Sequence, residues 1–228
     1  SAYSRPRRGG IIAMNVLEDD QLIKAAITDG ESEVVIATQS GQAVRFEEGK
    51  VRAMGRNSQG VRGVSLQGDD VVVGMVVVSC DDVLLTVCAN GYGKRTPVSD
   101  YRLTNRGGKG VINIKTTDRN GPVVSVMSVM DDDDVVIVTQ KGILIRQEIG
   151  EVNVIGRNTQ GVRMINLDDA DQVIDVALVV KQDEDEEGEE GEEGEGEAEV
   201  EEQTTSTETV STETVAEESA NGSHRVEG

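Results

Sequence analysis

Basic side chains recur beside glycines along this chain at a fixed interval. Glycines that open an apolar stretch stand at Gly10, Gly60, Gly110 and Gly161, spaced 50, 50 and 51 residues apart. Turn glycines Gly41, Gly91 and Gly142 keep the same interval, and four residues after each comes Arg45, Arg95 and Arg146. A third register holds Gly55-Arg56-Asn57-Ser58-Gln59-Gly60 and Gly156-Arg157-Asn158-Thr159-Gln160-Gly161, with Asn105-Arg106-Gly107-Gly108-Lys109-Gly110 between them. A glycine-flanked arginine brings a guanidinium and a backbone N–H close to one oxyanion, which is the chemistry of phosphate binding. Repeat symmetry carries equivalent residues to one rim. On this basis Arg7, Arg8, Arg56, Lys94, Arg95, Arg106, Lys109, Arg146 and Arg157 are expected to contact phosphates. Arg52 and Arg163 are weaker members of the set, and Arg45 and Arg62 fall inside expected strands, where a structural role is equally open.

The chain has three Tyr, one Phe and no Trp, too few rings to stack on single-stranded bases. No recognition helix is apparent, so base-edge readout is not expected. What remains is contact with a duplex backbone, which tolerates any sequence and depends on how easily the DNA bends.

Other chemistries find little support. Tyr3, Tyr92 and Tyr101 have no metal-binding acids or general base beside them, so no catalytic residue is assigned. Asp131–Asp134 lacks the spacing of a calcium loop and is expected to be a solvated turn. Cys80 and Cys88 form no CxxC or Cys/His cluster, and His224 lies far off, so no metal site is expected. Two such cysteines suit free thiols in a reducing cytosol. No apolar run approaches the roughly 18 residues of a membrane span, and no secretory leader is evident.

The elements that must position the basic residues are strands. With almost no aromatics, the core must be Val, Ile and Leu, which favour pleated structure. Each repeat reads as about four short strands, in the first unit residues 10–16, 22–28, 33–38 and 42–47. The last two form a hairpin around Gln39-Ser40-Gly41. Four strands per roughly 50 residues is the signature of a propeller blade. Residues 1–181 are therefore expected to be an all-β, propeller-like array with units near 9–56, 60–106, 110–157 and 161–181, about three and a half blades. The chain begins at Ser1 in mid-pattern, which suggests a fragment.

The formal charge of −21 is unevenly spread. Residues 182–228 hold 19 acids and one Arg, whereas residues 1–181 carry a net charge of only −3. The acidic stretch has no apolar period, and such composition is expected to stay disordered.

Several stretches resemble the C-terminal domain of the DNA gyrase A protein family: Gly91-Tyr92-Gly93-Lys94-Arg95-Thr96, Val51-Arg52-Ala53-Met54-Gly55-Arg56, Arg119-Asn120-Gly121-Pro122-Val123 and Val154 through Val162. The resemblance covers about residues 5–181. It implies a six-bladed β-pinwheel, in which neighbouring blades exchange strands and duplex DNA wraps around a basic outer rim. It also implies membership of an A2B2 complex of gyrase A and gyrase B proteins in the bacterial cytoplasm, at the nucleoid. ATP and magnesium would act on other domains, with no cofactor and no catalysis here. The family's Gln-Arg-Arg-Gly-Gly-Arg/Lys-Gly box has no intact copy, although Arg106 to Gly110 matches its last five positions. The resemblance further implies that the acidic tail tunes wrapping. Two other readings are the equivalent domain of topoisomerase IV and a protein-interaction propeller.

Overall fold

The computed structural model describes Arg5 and residues 8–179. Arg7 and the acidic tail from residue 182 lie outside the described residues. The ordered architecture is all-β and is built from three hairpins on the repeat interval. β1 (Glu33–Thr38) pairs with β2 (Gln42–Glu47), with Val35 opposite Arg45 and Ala37 opposite Ala43. Fifty residues on, β4 (Val83–Cys88) pairs with β5 (Tyr92–Pro97), and β8 (Asp134–Thr139) then pairs with β9 (Leu144–Glu148). Runs such as Val34-Val35-Ile36 make these segments extended, because branched side chains pack well on a pleated surface. Each hairpin turns at a glycine in the left-handed region, with φ of 82° at Gly41, 77° at Gly91 and 83° at Gly142. At Gly41 a Cβ would also meet the Ile114 carbonyl oxygen at 2.3 Å, so both backbone angle and space demand glycine there.

The remaining strands do not stay with their own hairpins. β3 (Val72–Val78) pairs with β1, β7 (Val123–Val129) with β4, and β11 (Val173–Val179) with β8. Each hairpin thus receives the inner strand of the next repeat. Its outer edge is taken by a strand from the repeat after that: β6 (Val111–Ile112) pairs with β2, and β10 (Val162–Arg163) with β5. The result is two four-stranded sheets, β3-β1-β2-β6 and β10-β5-β4-β7, and a three-stranded sheet, β11-β8-β9.

The exchange of strands between repeats agrees with what the resemblance implied, while the expectation of four strands in the first repeat is corrected. Residues 10–16 and 22–28 are not strands, and most of their side chains, including Leu22 and Ile27, are exposed. Residues 22–28 stand one period before β3, yet among the described residues they join no ladder.

The core lies between sheets. Val35 and Ala37 of β1 and Val76 and Val78 of β3 pack against Leu84, Cys88, Val123 and Val126 of the second sheet. The alternate face of that sheet, with Leu85, Val87 and Val129, packs on Val135, Ile137, Val173 and Val176 of the third. β3, β7 and β11 lie side by side across the sheets, forming the inner edge. The short β6 and β10 end their sheets on the opposite, outer edge. Among the described residues the helical segments are three 3-10 turns, Glu48–Lys50, Val98–Asp100 and Ile149–Glu151, and no helix is long and apolar enough to cross a membrane.

Candidate nucleic-acid interface

After each 3-10 turn the chain runs along the outer edge, and this segment carries the corner arginines. Arg56 donates from Nη1 to the carbonyl of Ile12 at 3.1 Å, Arg106 to that of Arg62 at 3.1 Å, and Arg157 to that of Ile112 at 2.9 Å. In every case the acceptor sits two residues past a repeat glycine, so each corner is tied to the corner of the repeat before it. Arg106 also donates from Nε to the Lys50 carbonyl at 3.0 Å. A guanidinium has five N–H donors, so one or two tethers fix its direction and leave most donors for another acceptor. All three side chains are half-exposed, and Arg8 and Lys109 are fully exposed. The repeat glycines let these segments press on the hairpins: a Cβ on Gly110 would meet the Ala43 carbonyl oxygen at 2.5 Å, and one on Gly161 the Gly93 carbonyl oxygen at 2.7 Å.

The hairpin basics behave differently, and for two of them the expectation of phosphate contact is corrected. Lys94 has no exposed surface, and its Nζ donates to the carbonyls of Gly156 at 2.7 Å and Arg157 at 2.8 Å. Burial, with some help from the neighbouring Arg157 charge, pushes the Lys94 ammonium down to about 8. Arg95 is buried as well. It donates to the Val152 carbonyl at 2.6 Å and pairs with Asp131. Arg45 does the same one repeat earlier, donating to the carbonyls of Val98 and Tyr101 and pairing with Glu33 at 2.5 Å. These side chains hold the following repeat's 3-10 turn from inside. They use the geometry expected of phosphate ligands on backbone oxygens instead.

Arg146 is the third hairpin arginine. It pairs with Asp134 at 2.5 Å but is 61% exposed, since no following corner covers it among the described residues. The Asp131–Asp134 stretch is likewise more than a solvated turn. Asp131 and Asp134 receive Arg95 and Arg146, and buried Asp133 accepts the Met130 N–H at 2.8 Å. Arg62 lies outside any strand and is exposed. Sequence reasoning passed over Arg119 as a basic site. No repeat partner signalled it, because Asp69 and Ala170 stand at the equivalent positions.

The model of the family described as "DNA gyrase C-terminal domain, beta-propeller" matches residues 1–29, 32–79, 82–130 and 133–179, on the same interval as the hairpins. The chain belongs to this family. It is 44% identical over 184 residues to the DNA gyrase A protein of Salmonella typhimurium, covering 81% of this chain and 21% of that protein. It is also 44% identical over 188 residues to the DNA gyrase A protein of Staphylococcus aureus strain MRSA252, covering 82% of this chain and 21% of that protein. The chain thus spans about a fifth of the length of these relatives. A solved DNA gyrase A C-terminal domain superposes with a TM-score of 0.69 at 29% identity, over 76% of this chain and 59% of that one. A solved C-terminal domain of DNA topoisomerase IV superposes with a TM-score of 0.73 at 23% identity, over 78% of this chain and 56% of that one, a likeness of fold alone. The fold described here is therefore that of a gyrase A C-terminal domain.

Proposed function

We propose that this gyrase A C-terminal domain binds double-stranded DNA through its outer edge, without regard to sequence, and bends the duplex around it. The observation that carries the reading is the corner row: Arg56, Arg106 and Arg157 recur on one edge, each steered by a backbone carbonyl of the preceding corner, with donors to spare. Arg8, Lys109 and Arg146 join this row as exposed basic contacts, and Arg7 joins it on sequence alone. A row of phosphate contacts releases condensed counterions, which supplies affinity for any duplex. Bending a 20–30 bp site by 40–90° costs on the order of 1–6 kcal/mol, which contacts at successive corners offset. The near-neutral charge of residues 1–181 fits this, because a local row of arginines sets the field that a phosphate meets.

In the whole enzyme the module would deliver wrapped DNA for ATP-dependent negative supercoiling within an A2B2 complex of gyrase A and gyrase B proteins, at the nucleoid in the bacterial cytoplasm. Cleavage, ATP and magnesium would belong to other domains, and the module itself would perform no bond chemistry. The test uses relaxed circular plasmid closed by a nicking-closing enzyme in the presence of the chain at low salt. A shift in linking number, with similar affinities for unrelated duplexes and a steep salt dependence, is expected. Absence of binding, or binding to one sequence alone, would overturn the reading.

A further inference from the structure

The middle blade carries a basic cluster that the repeat explains only in part, since Arg163 stands in register with Arg62 but Arg119 has no basic equivalent. Tyr92 opens β5 next to the Gly91 turn, and its ring is buried. The Arg119 guanidinium lies over that ring at 4.7 Å from its centroid, and the Arg163 guanidinium at 5.4 Å. Arg163 also donates to the Tyr92 hydroxyl from Nη2 at 2.9 Å and to Asn166 Oδ1 at 3.1 Å. Arg119, and then Arg163, hold the phenol below its ordinary range. Both arginine side chains are exposed. Neither forms an ion pair among the described residues, where the ion pairs involve Arg45, Lys50, Arg95 and Arg146.

Two guanidinium groups are thus gathered on one ring, each held in orientation. Like charges lining one notch repel, and the ring face offsets only part of that cost. An anion placed between them removes the repulsion and takes up the unused donors. The notch they line measures about 300 Å3 and also holds Asp168, Asp169 and Asp171. Asp171 is already engaged, accepting the N–H groups of Lys141 at 3.1 Å and Gln172 at 2.9 Å. The cluster is specific to this blade. Position 92 corresponds to Gln42 and Ile143 in the other hairpins, and position 119 to Asp69 and Ala170. Arg163 belongs to β10, the outermost strand of the sheet, six residues beyond the corner residue Arg157.

We propose that Arg119 and Arg163, gathered on Tyr92, form a phosphodiester clamp that grips the duplex backbone beside the corner row, so that DNA is held along two lines of contact at the middle blade. This rests on the DNA-wrapping reading above and adds a site to it. Arg119 and Arg163 are the binding residues, and Tyr92 positions them.

The test measures binding of the full chain to an unrelated 40 bp duplex across a range of salt. It compares the wild type, Arg119→Gln/Arg163→Gln, Tyr92→Leu, and Arg56→Gln/Arg157→Gln from the corner row, with a urea midpoint for each. The clamp variant is expected to keep its midpoint and to lose about 1.8 from the salt slope, at about 0.9 per phosphate contact. Tyr92→Leu is expected to weaken binding with a smaller change in slope, since the charges stay but lose their orientation. A second readout is spectroscopic. Tyr92 is expected to ionise before Tyr101, whose phenol burial pushes upward. Added duplex should move that ionisation to higher pH in the wild type, since the phosphate neutralises the two arginines. An unchanged slope in the clamp variant, alongside a reduced slope in the corner variant, would overturn the clamp and leave wrapping intact. Failure of the wild type to bind would overturn both.

Discussion

The hairpin arginines and the corner arginines share a residue type and a repeat interval, yet they have opposite fates. Arg45 and Arg95 point inward and spend their donors on carbonyls of the next 3-10 turn. Arg56, Arg106 and Arg157 lie on the outer edge, with one or two donors tied back to the preceding corner. One row joins each repeat to the next, and the other faces outward. The difference teaches that periodic basic residues report the repeat first and the ligand second. A buried guanidinium needs the same cluster of oxygens that a phosphate offers, and backbone carbonyls supply it.

Variants can break or sharpen this contrast. The largest effect is expected at Arg95, where removal strands buried carbonyls of the third blade's turn. Arg95→Met should lower stability by about 3 kcal/mol, read from urea unfolding. If the midpoint instead held and DNA affinity fell, Arg95 would belong with the corner row. Charge reversal at Lys94 and Arg95 should for the same reason report on folding before it reports on DNA.

Next comes Arg56→Gln/Arg157→Gln, which should take about 1.8 from the salt slope of DNA binding. Its urea midpoint should stay close to that of the wild type, and a slope that does not change would remove these residues from the interface. A smaller effect is expected at Arg146, the hairpin arginine whose latch is incomplete. Its guanidinium is exposed but its partner Asp134 is buried, so Arg146→Met should lower the midpoint, though by less than Arg95→Met, whose guanidinium is itself buried. A loss as large as that of Arg95→Met would mean that exposure does not decide the role.

A further effect concerns pH. The folded state holds Lys94 at about 8, against an ordinary value of 10.5. Below pH 8 both states bind the proton and the cost of burying the charge is fully present. Between pH 8 and 10.5 the unfolded chain binds more protons, so stability should rise with pH across that window. Comparing urea midpoints of the wild type and Lys94→Met at pH 7.5, 9 and 10 isolates this rise. Parallel curves would show that Lys94 is not held in its neutral form.

Much of the fold was legible because the interval is written in glycines. Gly41, Gly91 and Gly142 occupy left-handed turns, and Gly10, Gly60, Gly110 and Gly161 all adopt positive φ, as their positions in the repeat suggested. The hairpins were legible from their branched apolar runs, whose alternation places residues on opposite faces. The partners of each strand were not legible in the repeat itself, which looks the same whether a strand pairs with its own hairpin or its neighbour's; only the family resemblance implied the exchange. Arg119 was hidden for a related reason, since it has no basic equivalent in the other repeats and only packing brings it to Tyr92 beside Arg163.

The sequence alone therefore determined the all-β class, the period, the turns and the list of basic residues, because backbone preference and side-chain alternation are local properties. Tertiary structure alone decided which hairpin each inner strand joins. It also decided which basics face carbonyls and which face outward. A guanidinium's role depends on what lies within about 3 Å of it, and in this chain the backbone carbonyls that receive these arginines come from residues 44 to 57 positions away.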